Sequence, residues 1–145
     1  MLRCFCVSVS TIRSAHVDLN KNFGVGRERA VELLQAAQAA GLDAAGVCFH
    51  VGSQTMSADP YLNALDLARE IFEEAAAAGM QLRILDIGGG FPIPEPKVRF
   101  NLKEMLKQIN ARLDEDFSQC RDLGGTGTFY VRYGCQPYYQ RHRCY

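Results

Sequence analysis

Between Gly24 and Phe117 the chain alternates between two kinds of hydrophobic spacing, and that alternation restricts its fold more than any other feature. Gly26 to Ala40 is built from Ala, Leu, Glu, Gln and Arg, all good helix formers. Val31, Leu34 and Gln38 set against Leu33, Ala37 and Ala40 give it a mixed apolar face, and Gly41 is placed to end it. Ala44 to Phe49 is an unbroken apolar run, as expected of a strand buried on both faces. Asp59 then predicts a helix cap and Pro60 a first helical position. Leu62, Leu65, Ala68, Phe72 and Ala75 follow at steps of three and four, with Arg69, Glu73 and Glu74 on a solvated side and Gly79 as the stop. Leu82 to Ile87 reads as a second strand, interrupted by Arg83. Asn101 with Glu104 three residues on predicts a capping box for a third helix, whose Met105, Ile109, Leu113 and Phe117 share one face. Helices set between strands require parallel strands and right-handed crossovers, so the class is α/β. Spacing alone does not separate a barrel from an open doubly wound sheet.

Charge and cysteine placement exclude several functions. Sixteen basic and 16 acidic side chains leave a formal charge of zero, with no basic footprint for nucleic acid or an anionic membrane. No apolar run approaches the roughly 18 to 20 residues that span a bilayer. Met1 to Ser10 lacks the h-region and cleavage site of a signal peptide, so a soluble, cytoplasmic chain is expected. The cysteines, Cys4, Cys6, Cys48, Cys120, Cys135 and Cys144, form no CxxC pair and no Cys/His spacing suited to zinc. Free thiols and no metal are the expectation.

Chemistry in parallel α/β folds gathers at the carboxyl ends of strands, and two such ends are unusual here. The first is Phe49-His50-Val51-Gly52-Ser53-Gln54, which sets an imidazole, a glycine and a hydroxyl directly after a buried strand. A hydrogen-bonded histidine closing the strand is the plain structural alternative. The second is Asp86-Ile87-Gly88-Gly89-Gly90-Phe91-Pro92. Three successive glycines carry a large backbone entropy cost, expose N–H groups and permit positive φ, the properties of a phosphate-binding nest. A tight turn is the alternative. The spacing is neither GxGxxG nor a Walker loop. Together the two ends predict a phosphate-bearing ligand beside His50.

These two segments, His50-Val-Gly-Ser-Gln54 and Leu85-Asp-Ile-Gly-Gly-Gly-Phe-Pro92, separated by one helix, resemble the fold type III pyridoxal-phosphate decarboxylases of ornithine, diaminopimelate and arginine. Phe23-Gly24-Val25 is similar to that family's Lys-Phe-Gly element, with Asn22 interposed after Lys21. The Gly-Gly-Gly-Phe-Pro ending is closest to the ornithine branch. The resemblance covers roughly residues 20 to 117. It implies a partial (β/α)8 barrel of about three βα units and pyridoxal 5'-phosphate as cofactor. It also implies a small amino-acid substrate, most simply ornithine, with diaminopimelate, arginine or lysine as the alternatives, and a homodimer. By that resemblance His50 stacks on the cofactor ring, Ser53 reaches the phosphate region, and Gly88, Gly89 and Gly90 line the phosphate site. Asp86 belongs to the same motif without an assigned role. The cofactor takes up the electron pair released as CO₂ leaves, and the protein holds ring, phosphate and substrate in register. A non-catalytic relative acting by protein binding, as antizyme inhibitors do, is the other reading, and an unrelated phosphate-binding module a third.

The family's Schiff-base lysine has no counterpart here, since Lys21, Lys97, Lys103 and Lys107 all stand in other contexts. The resemblance thus implies no catalytic residue in this stretch and an isolated chain that is inactive and poorly soluble. The organisation expected is an uncertain segment over 1–19, a partial cofactor-binding barrel over 20–119 and an aberrant tail over 120–145. In that tail the family's Glu-Pro-Gly-Arg motif is replaced by Gly125-Thr126-Gly127-Thr128, followed by aperiodic Cys, Tyr, Gln and Arg. Read one base forward with free choice of synonymous codons, Gly125 to Phe129 yields Glu-Pro-Gly-Arg-Phe, and Tyr133 onward yields an apolar strand-like run. The expectation is a frameshifted tail. The nucleotide sequence checks it, and codons incompatible with the shifted reading overturn it.

Overall fold

The computed structural model describes residues 3–8, 24–92 and 101–124, with only the backbone for 3–8 and 121–124. Lys21, Phe23, Lys97, Cys135, Cys144 and the segment 125–145 lie outside the described residues. The element order is β1 (Arg3–Ser8), α1 (Arg27–Ala39), β2 (Asp43–Phe49), α2 (Asp59–Ala77), β3 (Ile84–Gly88), α3 (Leu102–Asp116) and β4 (Arg121–Gly124). All strand pairings are parallel. The sheet order is β1-β2-β3-β4, the order of the sequence. A doubly wound sheet reverses direction at its middle, so its strand order departs from chain order. Sequential order is that of a barrel wall, and it decides what the spacing left open.

The second face of each predicted helix is set by what it meets. On α3 the expectation holds: Met105, Ile109, Leu113 and Phe117 are all buried, and the Asn101 side chain accepts the Glu104 N–H at 3.1 Å. On α2 the buried stripe is rotated from the predicted one. It runs Pro60, Tyr61, Ala64, Leu65, Ala68, Ile71 and Ala75, with Leu62 and Phe72 only partly buried. Two faces of this helix are covered, because α2 packs against both α1 and α3 as well as the sheet. Three alanines within the stripe allow that close approach. Asp59 is the first residue of α2 and not its cap. The N-cap is Ala58, and one residue before it the Ser57 hydroxyl accepts the Asp59 N–H at 3.1 Å and donates to the Asp59 carboxylate at 2.9 Å. On α1 the buried residues are Ala30 and Leu34, while Leu33 stays 43% exposed. Gly41 and Gly79 stand just past the ends of α1 and α2, as expected.

Two apolar clusters form the core. One joins Phe49, Val51, Leu85 and Ile87 of the strand ends to Tyr61, Leu65, Met105, Ile109, Leu113 and Phe117 of α2 and α3. The other joins Val47 to Ala30 and Leu34 of α1 and Ile71 and Ala75 of α2. Phe72 and Phe117 meet edge to face, ring centroids 5.4 Å apart. Four arginines link neighbouring elements at the surface: Arg27 to Glu70 and Glu74, Arg69 to Asp116, Arg83 to Asp43, and Arg112 to Asp66 and Asp116. Water screens exposed pairs of this kind, so they tie elements together without contributing much stability. Arg69 and Glu73, expected on a solvated side, pair with each other at 2.9 Å.

β1 and β4 sit where the sequence showed no element. Cys6 faces Val47 and Val7 faces Cys48 in register, while Leu123 faces Asp86 and Gly124 faces Gly88. Short strands of mixed composition carry little local signal, and their pairing is set by neighbours far away in sequence. β3 begins at Ile84, two residues after the predicted start, although the Arg83 N–H just before it already donates to the Ala45 carbonyl of β2 at 2.8 Å.

Candidate functional site

Strand alternation sorts β2 and β3 into two faces. Val47, Phe49, Leu85 and Ile87 pack against the helices. Gly46, Cys48 and Asp86 fall on the opposite face, where Cys48 and Asp86 are register partners and both half-buried. Gly46 is required there: a Cβ at this position would stand 1.8 Å from the Ile84 carbonyl oxygen. Burial pushes the Cys48 thiol up from its ordinary range, and the neighbouring Asp86 charge pushes it further. Both influences oppose formation of the thiolate, the form that acts as a nucleophile. Cys48 forms no disulfide, as expected.

The two strand ends are built alike. At the end of β2 the His50 imidazole Nδ1 accepts the N–H of Gly52, two residues on, at 2.9 Å. At the end of β3 the Asp86 carboxylate accepts the N–H of Gly88, again two residues on, at 2.9 Å. Each side chain thus bends its own backbone out of the strand onto a glycine, and Asp86 gains the role that its sequence context left unassigned. The Nδ1 acceptor fixes the neutral imidazole with its proton on Nε2. Burial lowers the His50 pKa, in the same direction.

The ends are also pressed together. Gly88 has φ +64 and Gly90 φ +102. A Cβ on Gly88 would stand 2.0 Å from the Phe49 carbonyl oxygen, and one on Gly90 2.0 Å from the Gly52 carbonyl oxygen. Both reasons for glycine therefore coincide at these positions: the backbone conformation and the closeness of the neighbouring turn. The contact is sealed by Thr55, which is 2% exposed. Its N–H donates to the Gly90 carbonyl at 2.8 Å and its hydroxyl to the Gly52 carbonyl at 3.1 Å. Gln54 adopts φ +55, a conformation that favours glycine and that recurs where a loop is held for function. From below, the fully buried Tyr61 donates its hydroxyl to the Gly89 carbonyl at 3.2 Å and stacks on Phe91, centroids 4.7 Å apart.

The structure thus brings His50, Ser53, Gly88, Gly89 and Gly90 to one place, at the carboxyl ends of adjacent parallel strands. Ser53 lies half-buried in the turn between Gly52 and Gln54. Thr55 and Tyr61 belong to the same construction and were not singled out from the sequence, while Phe91 stood in the quoted motif without a role. For Tyr61 the only signal was its place at i−4 from Leu65 on the buried stripe. Lys103 and Lys107 lie exposed on α3, away from the strand ends. Among the described residues no group of three or more His, Cys, Asp or Glu could hold a metal, and no helix is long and apolar enough to cross a membrane. A separate cavity of about 330 Å³ lies at the opposite end of the sheet, lined by Gln38, Leu42, Asp43, Met80, Gln81 and Arg83. It shares no residue with the strand-end site.

Comparison with known proteins gives this arrangement a family context. Residues 6–126 match the family described as pyridoxal-dependent decarboxylase, pyridoxal binding domain. A lysine/ornithine decarboxylase of Selenomonas ruminantium is 52% identical over 104 residues, covering 71% of this chain and 26% of that protein. An antizyme inhibitor 2 of Xenopus laevis is 38% identical over 117 residues, covering 78% of this chain and 25% of that protein. The crystal structure of lysine decarboxylase from Selenomonas ruminantium superposes with a TM-score of 0.75 at 44% identity, over 85% of this chain and 33% of that one. The chain thus spans about a quarter of the length of the curated relatives it matches.

Proposed function

This chain belongs to the pyridoxal-dependent decarboxylases through their pyridoxal binding domain, and on that premise we propose that it supplies the ring- and phosphate-holding part of a site that removes CO₂ from a basic amino acid, ornithine first. The observation that carries the reading is the interlocked pair of strand ends, with a neutral histidine on one and a clamped glycine loop on the other. In this reading His50, Ser53, Gly88, Gly89 and Gly90 hold pyridoxal 5'-phosphate, and the functional assembly is a homodimer.

The residues present fit that group. The Gly89 and Gly90 carbonyls are both taken up by protein donors, Tyr61 and Thr55. The Gly90 and Phe91 N–H groups donate to no acceptor among the described residues. Among the described residues that leaves two adjacent backbone donors, one of them on a glycine, the chemistry a phosphate dianion requires. His50 offers a flat, uncharged ring face suited to a pyridine. Ser53 adds a hydroxyl donor beside the phosphate. When bound, the cofactor supplies an electron-accepting ring for the bond pair released as CO₂ leaves. The chain's own contribution is placement: ring against His50, phosphate against the glycine loop, both fixed by the contact of the two strand ends.

Expressed with its flanking coding sequence and supplied with pyridoxal 5'-phosphate, the protein is expected to release CO₂ from ornithine. His50→Ala in that protein weakens cofactor retention roughly 3- to 10-fold, the worth of one aromatic stacking contact. No CO₂ release from ornithine, lysine or arginine overturns the catalytic reading. Retained cofactor-site geometry without CO₂ release would instead favour a non-catalytic, protein-binding role, the reading that the antizyme inhibitor relative supports.

A further inference from the structure

We propose that Tyr61 is a positioning residue that aims the glycine loop at the phosphate, an inference that rests on the site reading above and extends it to a side chain on the helix behind the loop. The peptide bond between Gly89 and Gly90 is trans, as are all those described. In a trans peptide the carbonyl of one residue and the N–H of the next point to opposite sides. The Tyr61 hydroxyl holds the Gly89 carbonyl on the α2 side at 3.2 Å. The Gly90 N–H is therefore turned away from α2. The next peptide is held in turn by Thr55, whose N–H donates to the Gly90 carbonyl at 2.8 Å and so turns the Phe91 N–H away from Thr55.

A run of glycines has no intrinsic preference for this arrangement, because glycine populates positive and negative φ about equally and its peptide planes flip readily. Something outside the loop must choose the orientation. Tyr61 is placed to do so from a rigid element: it is fully buried, near the start of the 19-residue helix α2, and its ring is stacked on Phe91. The stack fixes where the ring lies, and the hydroxyl fixes which way the Gly89 peptide faces. Those are separable functions of one side chain. Tyr61→Phe removes the second and keeps the first.

The test compares two probes that differ only in the phosphate and cannot condense with lysine: pyridoxamine 5'-phosphate and pyridoxamine. Binding of each to the protein expressed with its flanking coding sequence, and to the Tyr61→Phe variant of that protein, is measured by ligand fluorescence. The substitution is expected to weaken pyridoxamine 5'-phosphate roughly 3- to 10-fold, the worth of a misaligned hydrogen bond to a charged group, and to leave pyridoxamine unchanged. Equal loss for both probes, or no loss for either, overturns the positioning role. Absence of any phosphate-dependent binding by the unsubstituted protein overturns the site reading as well, which distinguishes the two failures. Should Tyr61→Phe not fold, the ¹⁵N-labelled unsubstituted protein still decides. The Gly90 and Phe91 amide signals are expected to shift with pyridoxamine 5'-phosphate and not with pyridoxamine, and amides that stay still with both overturn the inference.

Discussion

Gly88→Ala and Gly90→Ala each destabilise the chain by about 3 kcal/mol or more, the sum of a left-handed backbone penalty and an overpacking penalty. The obstruction in each case is backbone and not a side chain that could swing aside. The new methyl would stand 2.0 Å from the Phe49 carbonyl oxygen in the first variant and 2.0 Å from the Gly52 carbonyl oxygen in the second. The only relief is to separate the ends of β2 and β3. That breaks the Thr55–Gly90 bond and withdraws the loop from His50. Denaturant unfolding followed by circular dichroism measures the effect. Gly26→Ala is the comparison without a clash, because no atom lies within 4 Å of its added methyl; as the N-cap of α1, where glycine is preferred to alanine, it is expected to cost about 1 kcal/mol at most. Unfolding midpoints for Gly88→Ala and Gly90→Ala that match that of Gly26→Ala would show that the strand ends do not touch.

Phe49→Ala costs about 3 to 5 kcal/mol, the range for removing a buried aromatic ring from a packed core. Phe49 is 2% exposed and lies in the cluster that joins the strand ends to α2 and α3. It is the last residue of β2, immediately before His50, and its own carbonyl is the atom that Gly88 passes. A cavity here therefore loosens the site as well as the core. The stability loss should appear together with faster exchange of the Thr55 amide. Leu33→Ala, at a position 43% exposed on α1, is expected to change stability by less than about 0.5 kcal/mol. Comparable losses in the two variants would place the core elsewhere.

The parts of the fold that were legible in the sequence are those whose signal is local. Helix α3 was readable end to end because its cap, its capping box and its four-residue apolar spacing all lie within 17 residues, from Asn101 to Phe117. β2 was readable because a strand covered on one face by helices and lying at the centre of a parallel sheet must be apolar nearly throughout. The stripe on α2 was misplaced by part of a turn. The sequence shows that the helix is amphipathic, but only its two helical neighbours decide which of several apolar residues are covered. β1 and β4 left almost no trace, since a short strand takes its identity from the strand it joins.

The candidate site divides the same way. His50, Ser53 and the three glycines announced themselves by residue type: an imidazole, a hydroxyl and unhindered backbone directly after apolar runs. Asp86 was visible without a function, and its function turned out to mirror that of His50 at the other strand end. Thr55 and Tyr61 were not visible, although both are buried and both bond the glycine loop.

What the sequence determined alone was the alternation of elements, the parallel α/β class and the residues at the two strand ends, because each rests on contacts between near neighbours or on backbone freedom that glycine alone provides. Only the tertiary structure decided that the strands follow one another in chain order, that the loop after β3 lies against the turn after β2, and that a tyrosine 28 residues earlier orients it. Those are contacts between segments distant in the chain. Their free energy depends on which surfaces meet, a quantity that no window of neighbouring residues contains.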